Sequence, residues 1–256
     1  MTSLILKNSK PISLEDESFR SNLLNIASRI DNVIPLGRGD PDFHTPQHIV
    51  EAAKKALDDN LHHYTVPSGV EELREAISEN FKKKFNLNYS KEEIIVTAGV
   101  QESIALAMLS ILNNDDEVLI TSPRFTAYDL AVRMCNAKPV PVPTFEKNNF
   151  SLMPDEISKR ITSRTKILVL VSPNNPTGAV TPPEKIIEIA EIVKKNKLIV
   201  IADEIYADLV YENHTHLSIG SLEEMKERTL TLNGFSKTYA MTGWRIGYIA
   251  GPLDII

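Results

Sequence analysis

Two short runs, KILVLV at residues 166–171 and KLIVIA at residues 197–202, are apolar at every position after their opening lysine. A strand with one wet face alternates apolar and polar residues. Runs like these instead fit strands covered on both faces, at the centre of a sheet with helices packed on each side. The rest of the chain agrees with that arrangement. Helix-period stretches at residues 14–30, 46–59, 69–85, 100–112, 125–136 and 182–195 alternate with short β-branched runs at 93–97, 117–121, 138–142, 166–171, 198–202, 229–232 and 245–250. The alternation predicts βα units on a mostly parallel sheet, the α/β class.

Local signals support several boundaries. Thr181, Pro182 and Glu184 read as a capping box that opens the helix over 182–195, and Thr45 before Pro46 reads as a similar start. No internal repeat, low-complexity tract or linker rich in Gly, Pro or Ser divides the chain. Its 256 residues, 42% hydrophobic and 24% charged, suit a packed core rather than disorder. A net charge of −6 without any Lys/Arg block repels nucleic acid and anionic membrane rather than gathering them. The apolar runs are far shorter than the ~20 residues a membrane helix needs.

The opening residues MTSLILKNSKPISLEDES lack the basic start, apolar stretch and small-residue cleavage site of a secretory leader. The lone Cys135, in the stretch AVRMCNA, reads as a small buried hydrophobe with no internal disulfide partner, so a cytoplasmic location is expected. At the far end PLDII resembles the first turn of a further helix, begun by Pro252 and Asp254 with Ile255 and Ile256 as core contacts. The sequence is therefore expected to be the front part of a longer polypeptide.

Open α/β sheets bind ligands beyond the carboxyl ends of their strands, and three loops at such ends are chemically unusual. After KILVLV comes SPNNPTG, where Asn174 and Asn175 precede turn residues that fix how they project; a plain polar turn is the alternative. After KLIVIA comes DEIY, which puts Asp203 at the mouth of a wholly apolar strand. A carboxylate there must pair or hydrogen-bond to stay charged, either as a helix N-cap or facing a cationic ligand. Tyr206 lies three residues on, close enough to share that ligand. The third loop, NGFSKTYAMTGWRIGY, sets Lys237 among small and aromatic neighbours and Arg245 at the opening of the next strand. Lys237 is either a solvated surface residue or an amine whose lowered pKa makes it a nucleophile.

Taken together these residues ask for a ligand with a carbonyl for the amine, a cationic ring nitrogen for the aspartate, a ring oxygen for the Asn/Tyr pair and a phosphate for the arginine. Pyridoxal phosphate meets all four demands. No GxGxxG or GxxxxGK(S/T) pattern follows any predicted strand, which removes the dinucleotide-dependent and P-loop readings.

The motifs GDPDFHTP, HHYTVPSGVEELREA, SPNNPTGAV, ADEIY and SKTYAMTGWRIGY resemble the class I/II aminotransferases of the aspartate aminotransferase superfamily, from about residue 34 to the last residue. The resemblance implies a three-layer sandwich with a mostly parallel, mixed central sheet of about seven strands. It also implies a pyridoxal phosphate-binding large domain over residues 34–256. Residues 1–33 would form a segment and helix contributing to a small domain or a dimer contact, and the C-terminal small domain would lie beyond this chain. The implied reaction is ping-pong transfer of an amino group between an L-amino acid and a 2-oxo acid.

In that family the lysine at the position of Lys237 carries the cofactor as a Schiff base and later moves the proton at Cα. The resemblance implies that Asp203 partners the pyridine nitrogen, that Asn175 and Tyr206 hold the ring oxygen, and that Arg245 binds the phosphate. Backbone N–H groups of Val100 and Gln101, where TAGVQES turns into a helix, would add donors, and Ser236 belongs to the same cofactor set. Phe125 would stack on the ring. Tyr64 would reach the phosphate of a neighbouring subunit, making a homodimer with shared sites, and Gly39 would approach the substrate carboxylate.

The sequence departs from the family pattern at Gly234, where many relatives carry Ser or Thr, and at Val100 and Gln101, where a small residue and Lys are common. Cofactor residues alone do not decide which bond at Cα breaks, so a β-lyase on the same scaffold is a second reading and a catalytically silent cofactor-binding fragment a third. Arg38 and Arg124 are specificity residues or plain surface charges.

Overall fold

The computed structural model describes residues 39–211 and 214–256, together with residue 23 and residues 25–27 and 29–34. Arg38 and most of the helix expected over residues 14–30 lie outside the described residues. A seven-stranded sheet forms the centre of the fold in the order β1-β7-β6-β5-β4-β2-β3. Its strands are β1 (Ile94–Thr97), β2 (Glu117–Ser122), β3 (Lys138–Pro143), β4 (Thr165–Val171), β5 (Ile199–Asp203), β6 (Thr229–Gly234) and β7 (Gly247–Ala250). β7 runs antiparallel to both β1 and β6, and every other pairing is parallel, so the sheet is mixed as expected.

The two all-apolar runs are β4 and β5, paired with each other in the sheet interior. Side chains of period two divide between the faces. Ile167, Val169, Val171 and Ile201 point to one face, where they pack with α3 (Val100–Ile111) and α4 (Ala127–Met134). Leu168, Leu170, Val200 and Ala202 point to the other, against α5 (Pro154–Ser158) and α6 (Pro183–Asn196). Beside them α2 (Glu71–Phe85) buries Ile77 and Phe81 against Ile94, Tyr248 and Ala250. The helix α1 (Gln47–Asp58) buries no residue of its own. β3, with prolines at 139, 141 and 143, occupies an edge, where a missing N–H breaks no ladder bond. No helix among the described residues is long and apolar enough to cross a membrane.

Several local expectations are corrected. Pro182, not Thr181, is the N-cap of α6, and no side chain caps it. α6 starts one residue later than expected, at Pro183, which leaves Thr181 in the preceding loop, where its amide donates to Ser172 Oγ at 3.0 Å. Thr45 likewise caps nothing. Its hydroxyl donates to the Ala240 carbonyl at 2.6 Å and accepts from Trp244 Nε1 at 3.2 Å, tying the 39–45 segment to the loop after β6. β7 begins two residues after Arg245, which adopts a left-handed conformation with φ 57° and closes a 3-10 turn. The helix expected from residue 125 begins at Ala127, because Phe125 lies in the connecting turn. The short α5 has only weak periodicity, although Pro154, Asp155 and Glu156 mark its first turn.

Candidate active site

Chain travel along the sheet reverses between β2 and β4, which places the carboxyl ends of β2, β4, β5 and β6 around one crevice. A cavity of about 540 Å³ lies there. Gly39, Val100, Gln101, Phe125, Asn175, Asp203, Tyr206, Ser236, Lys237 and Arg245 all line it, joined by Asp40, Tyr128 and Thr242, which the sequence reading did not single out. Tyr64 lies outside this cavity, fully exposed.

Asp203 ends β5 on the same face as α4. Its Oδ1 accepts the Ile205 amide at 3.2 Å and its Oδ2 accepts the Tyr128 hydroxyl. Residues 205–208 form a turn, so the Asp203 side chain stabilises a local bend rather than capping a helix. Burial pushes its pKa up to about 6, against the lowering effect of the Tyr128 and Ile205 donors. Tyr128 is itself buried, and that burial together with Asp203 drives its own pKa upward. Its sequence signal is weak: a tyrosine three residues after Phe125, on the same side of a helix start.

Lys237 reaches the cavity from the loop after β6. Its half-buried Nζ donates to the Gly39 carbonyl and lies 5.9 Å from the centre of the Tyr206 ring. Burial lowers the pKa of this amine, Asp40 opposes the shift and the charge of Arg245 adds to it. Tyr206 accepts from Asn175 Nδ2 at 3.3 Å, and burial raises the pKa of its phenol. Asn174, the other amide of SPNNPTG, turns away to donate to Thr121 Oγ1 at 3.2 Å, so only one of the two asparagines faces the cavity.

At another wall α3 begins beside Arg245. Gly99, the N-cap, has φ 84°, and a Cβ there would overlap Arg245 Nη2. The guanidinium therefore rests against the glycine, held by an Nη1 bond to the Thr242 carbonyl at 2.8 Å. A cation and the free N–H groups of a helix start converge at this wall, a combination suited to an anion. Gly234 has a packing reason for departing from the family pattern, since a Cβ there would lie 2.9 Å from the Ile246 carbonyl oxygen.

Arg124, left open by the sequence, and Cys135, read there as a small buried hydrophobe, are placed by their neighbours. Arg124 forms a two-pronged pair with Asp129 and does not line the cavity. Cys135, just past α4, is partly buried with its thiol against the Ala131 carbonyl, and burial raises its pKa. Its environment is that of an inert thiol.

The fold agrees with comparisons to known proteins. Residues 31–256 match the family "Aminotransferase class I and II". Over 231 residues the chain is 46% identical to aromatic-amino-acid aminotransferase 2 of Thermococcus litoralis, covering 90% of this chain and 59% of that protein. It is also 46% identical, over 246 residues, to the aspartate aminotransferase of Pyrococcus abyssi, covering 96% of this chain and 63% of that one. The crystal structure of an aromatic aminotransferase from Pyrococcus horikoshii superposes with a TM-score of 0.86 at 47% identity, over 92% of this chain and 63% of the other. The chain belongs to the class I and II aminotransferase family. It spans less than two thirds of the length of these relatives.

Proposed function

We propose that this chain forms the cofactor-binding part of a pyridoxal phosphate-dependent aminotransferase that exchanges an amino group between an L-amino acid and a 2-oxo acid. The observation that carries the reading is the meeting of Lys237 and Asp203, from loops after two different strands, in one cavity with Arg245 at the start of α3. The donor set fits the cofactor. A buried carboxylate suits a ring nitrogen, a half-buried amine suits an aldehyde, and a guanidinium beside a helix N-terminus suits a phosphate. When bound, the cofactor supplies the aldehyde that takes up the amino group and the ring that spreads the charge developing at Cα.

The chain's own residues do the rest. Lys237 would hold the aldehyde carbon through Nζ with loss of water and, once the substrate amine has displaced it, the freed Nζ would move the proton at Cα. Asp203 keeps a proton on the ring nitrogen, while Asn175 and Tyr206 hold the ring oxygen. Arg245, the Val100 and Gln101 amides and Ser236 take the phosphate, Phe125 packs on the ring, and Gly39 meets the substrate carboxylate. Tyr64, exposed here, serves the site of a second copy in a homodimer. Residues 34–256 are the large domain of this enzyme, residues 1–33 contribute to a small domain or dimer contact, and the protein is cytoplasmic. The names of the relatives support an aromatic amino acid or aspartate as the amino donor.

The test is the visible spectrum of the purified chain with pyridoxal phosphate, before and after borohydride, with mass mapping of any adduct. We expect a band that borohydride bleaches and an adduct on the peptide containing Lys237, followed by conversion to the amine form of the cofactor on adding an amino acid. An adduct of equal yield in Lys237→Ala would refute the assignment.

A further inference from the structure

The connection between β2 and α4 delivers two residues to the cavity, Phe125 from the turn and Tyr128 from the first turn of the helix. Arg124 and Asp129 bracket them. Arg124 Nε donates to Asp129 Oδ2 at 2.7 Å and Nη2 to Oδ1 at 2.6 Å, and each of the two side chains is only 20% exposed. A fork-on-carboxylate pair fixes both distance and plane, so it closes the five-residue step between the two residues into a rigid loop. The pair uses two of the arginine's N–H donors and balances its charge, and Arg124 does not line the cavity.

We propose that Arg124 is a positioning residue: through Asp129 it sets the β2–α4 turn so that the Tyr128 hydroxyl meets Asp203 and the Phe125 ring faces the cavity. Its catalytic consequence rests on the function proposed above, but the placement of Tyr128 does not. The chain of contact runs from Arg124 through Asp129 to the first turn of α4, and from Tyr128 in that turn to the end of β5.

The experiment follows the Asp203 carboxyl carbon by NMR during pH titration of this 256-residue chain, with Asp203→Asn to identify its signal. The groups around that carboxyl are the Tyr128 and Tyr206 hydroxyls, the Ile205 amide and the Glu204 carboxylate. Simple electrostatics and positioning predict opposite signs. Removing a negative charge by Asp129→Ala lowers the midpoint of a nearby carboxylate if charge alone matters. If the pair positions Tyr128, the carboxylate loses its donor and the midpoint rises by about one unit, a tenfold change in proton affinity. Arg124→Lys, which keeps the charge without the fork, gives a rise as well, and Asp129→Asn, which retains one prong, a smaller one. In a Tyr128→Phe background Asp129→Ala produces no further rise.

A fall or no change in the midpoint in folded Asp129→Ala and Asp129→Asn overturns the proposal, as does a rise that persists in the Tyr128→Phe background. Because this readout needs no cofactor, failure of the chain to take up pyridoxal phosphate counts against the proposed function and leaves this test standing. Normal uptake with an unmoved midpoint counts against Arg124 alone.

Discussion

Tyr128 donates its hydroxyl hydrogen to Oδ2 of Asp203, joining the first turn of α4 to the end of β5 across 75 residues of sequence. That bond sits beneath the cavity and opposes the tendency of burial to neutralise the carboxylate. Asp203 and Glu204 are consecutive, yet they leave the sheet on opposite faces: the first enters the cavity and the second meets His216. The alternation of strand side chains thus separates a functional acid from a structural one.

The elevated pKa of Asp203 makes stability depend on pH in a defined window. In the folded chain it titrates near 6, against 3.8 as an ordinary carboxyl. An acid whose folded pKa is raised favours the folded state when protonated, so stability falls as pH climbs through that interval and is level above it. Asp203→Asn escapes the burial of charge and stabilises the cofactor-free chain at neutral pH by up to about 3 kcal/mol. Urea unfolding at pH 7 and near pH 4 checks this. A gain of the same size at both would point to packing instead.

Asp40 holds the Lys237 ammonium against the opposing effects of burial and Arg245. Asp40→Asn therefore lowers the Lys237 pKa further and raises the fraction of free amine near neutrality. The rate at which an aldehyde or an amine-selective reagent labels Lys237, followed against pH, shifts its midpoint downward. A shift upward would mean that the bond from Thr242 to Asp40, which this variant weakens, controls the lysine through the loop rather than through charge.

The phosphate site proposed at the start of α3 is tested by two substitutions. Arg245→Lys gives up the planar fork that would grip a phosphate, and a lost charge-assisted hydrogen bond amounts to roughly 1.5–3 kcal/mol, or about 10- to 150-fold in affinity. Gly99→Ala strains a backbone at φ 84° and drives a methyl group into the space of Arg245. Both variants weaken pyridoxal phosphate while leaving pyridoxal without phosphate nearly unaffected. Parallel titrations with the two compounds decide it, since equal losses for both would remove the phosphate from this wall.

Glu204 and His216 lie almost wholly buried, with Oε2 and Nε2 3.3 Å apart and no well-aligned hydrogen bond between them. Removing one member strands the other in the interior. His216→Ala costs about 3 kcal/mol or more in urea unfolding at neutral pH, and replacing both residues by apolar side chains of similar size recovers most of the loss. If His216→Ala proves neutral, the pair contributes no net stability.

Much of this molecule is legible without coordinates because its signals are local. Continuous apolar runs identify β4 and β5 as central strands, and the order of strands and helices places the functional loops at one end of the sheet. Asp203 stands out because a carboxylate at the mouth of an apolar strand needs a partner, and Asn175, Tyr206, Lys237 and Arg245 because they cluster in the loops that follow the strands. The expected caps at Thr45 and Thr181 miss by one residue, since each helix takes the following proline as its N-cap, and the hydroxyl of Thr45 is drawn instead to Ala240, 195 residues away.

What the sequence by itself determined is the α/β class, the central strands and the residue types that converge at their ends, since periodicity and residue chemistry act over a few positions. Only the tertiary structure decided that Tyr128 supports Asp203, that Asp129 claims Arg124, and that Arg245 bends into a left-handed turn against Gly99. Those outcomes depend on which side chains meet in space after the sheet has closed its register. A hydrogen bond or ion pair is selected by distance and orientation within an ångström or so, and no local pattern encodes that.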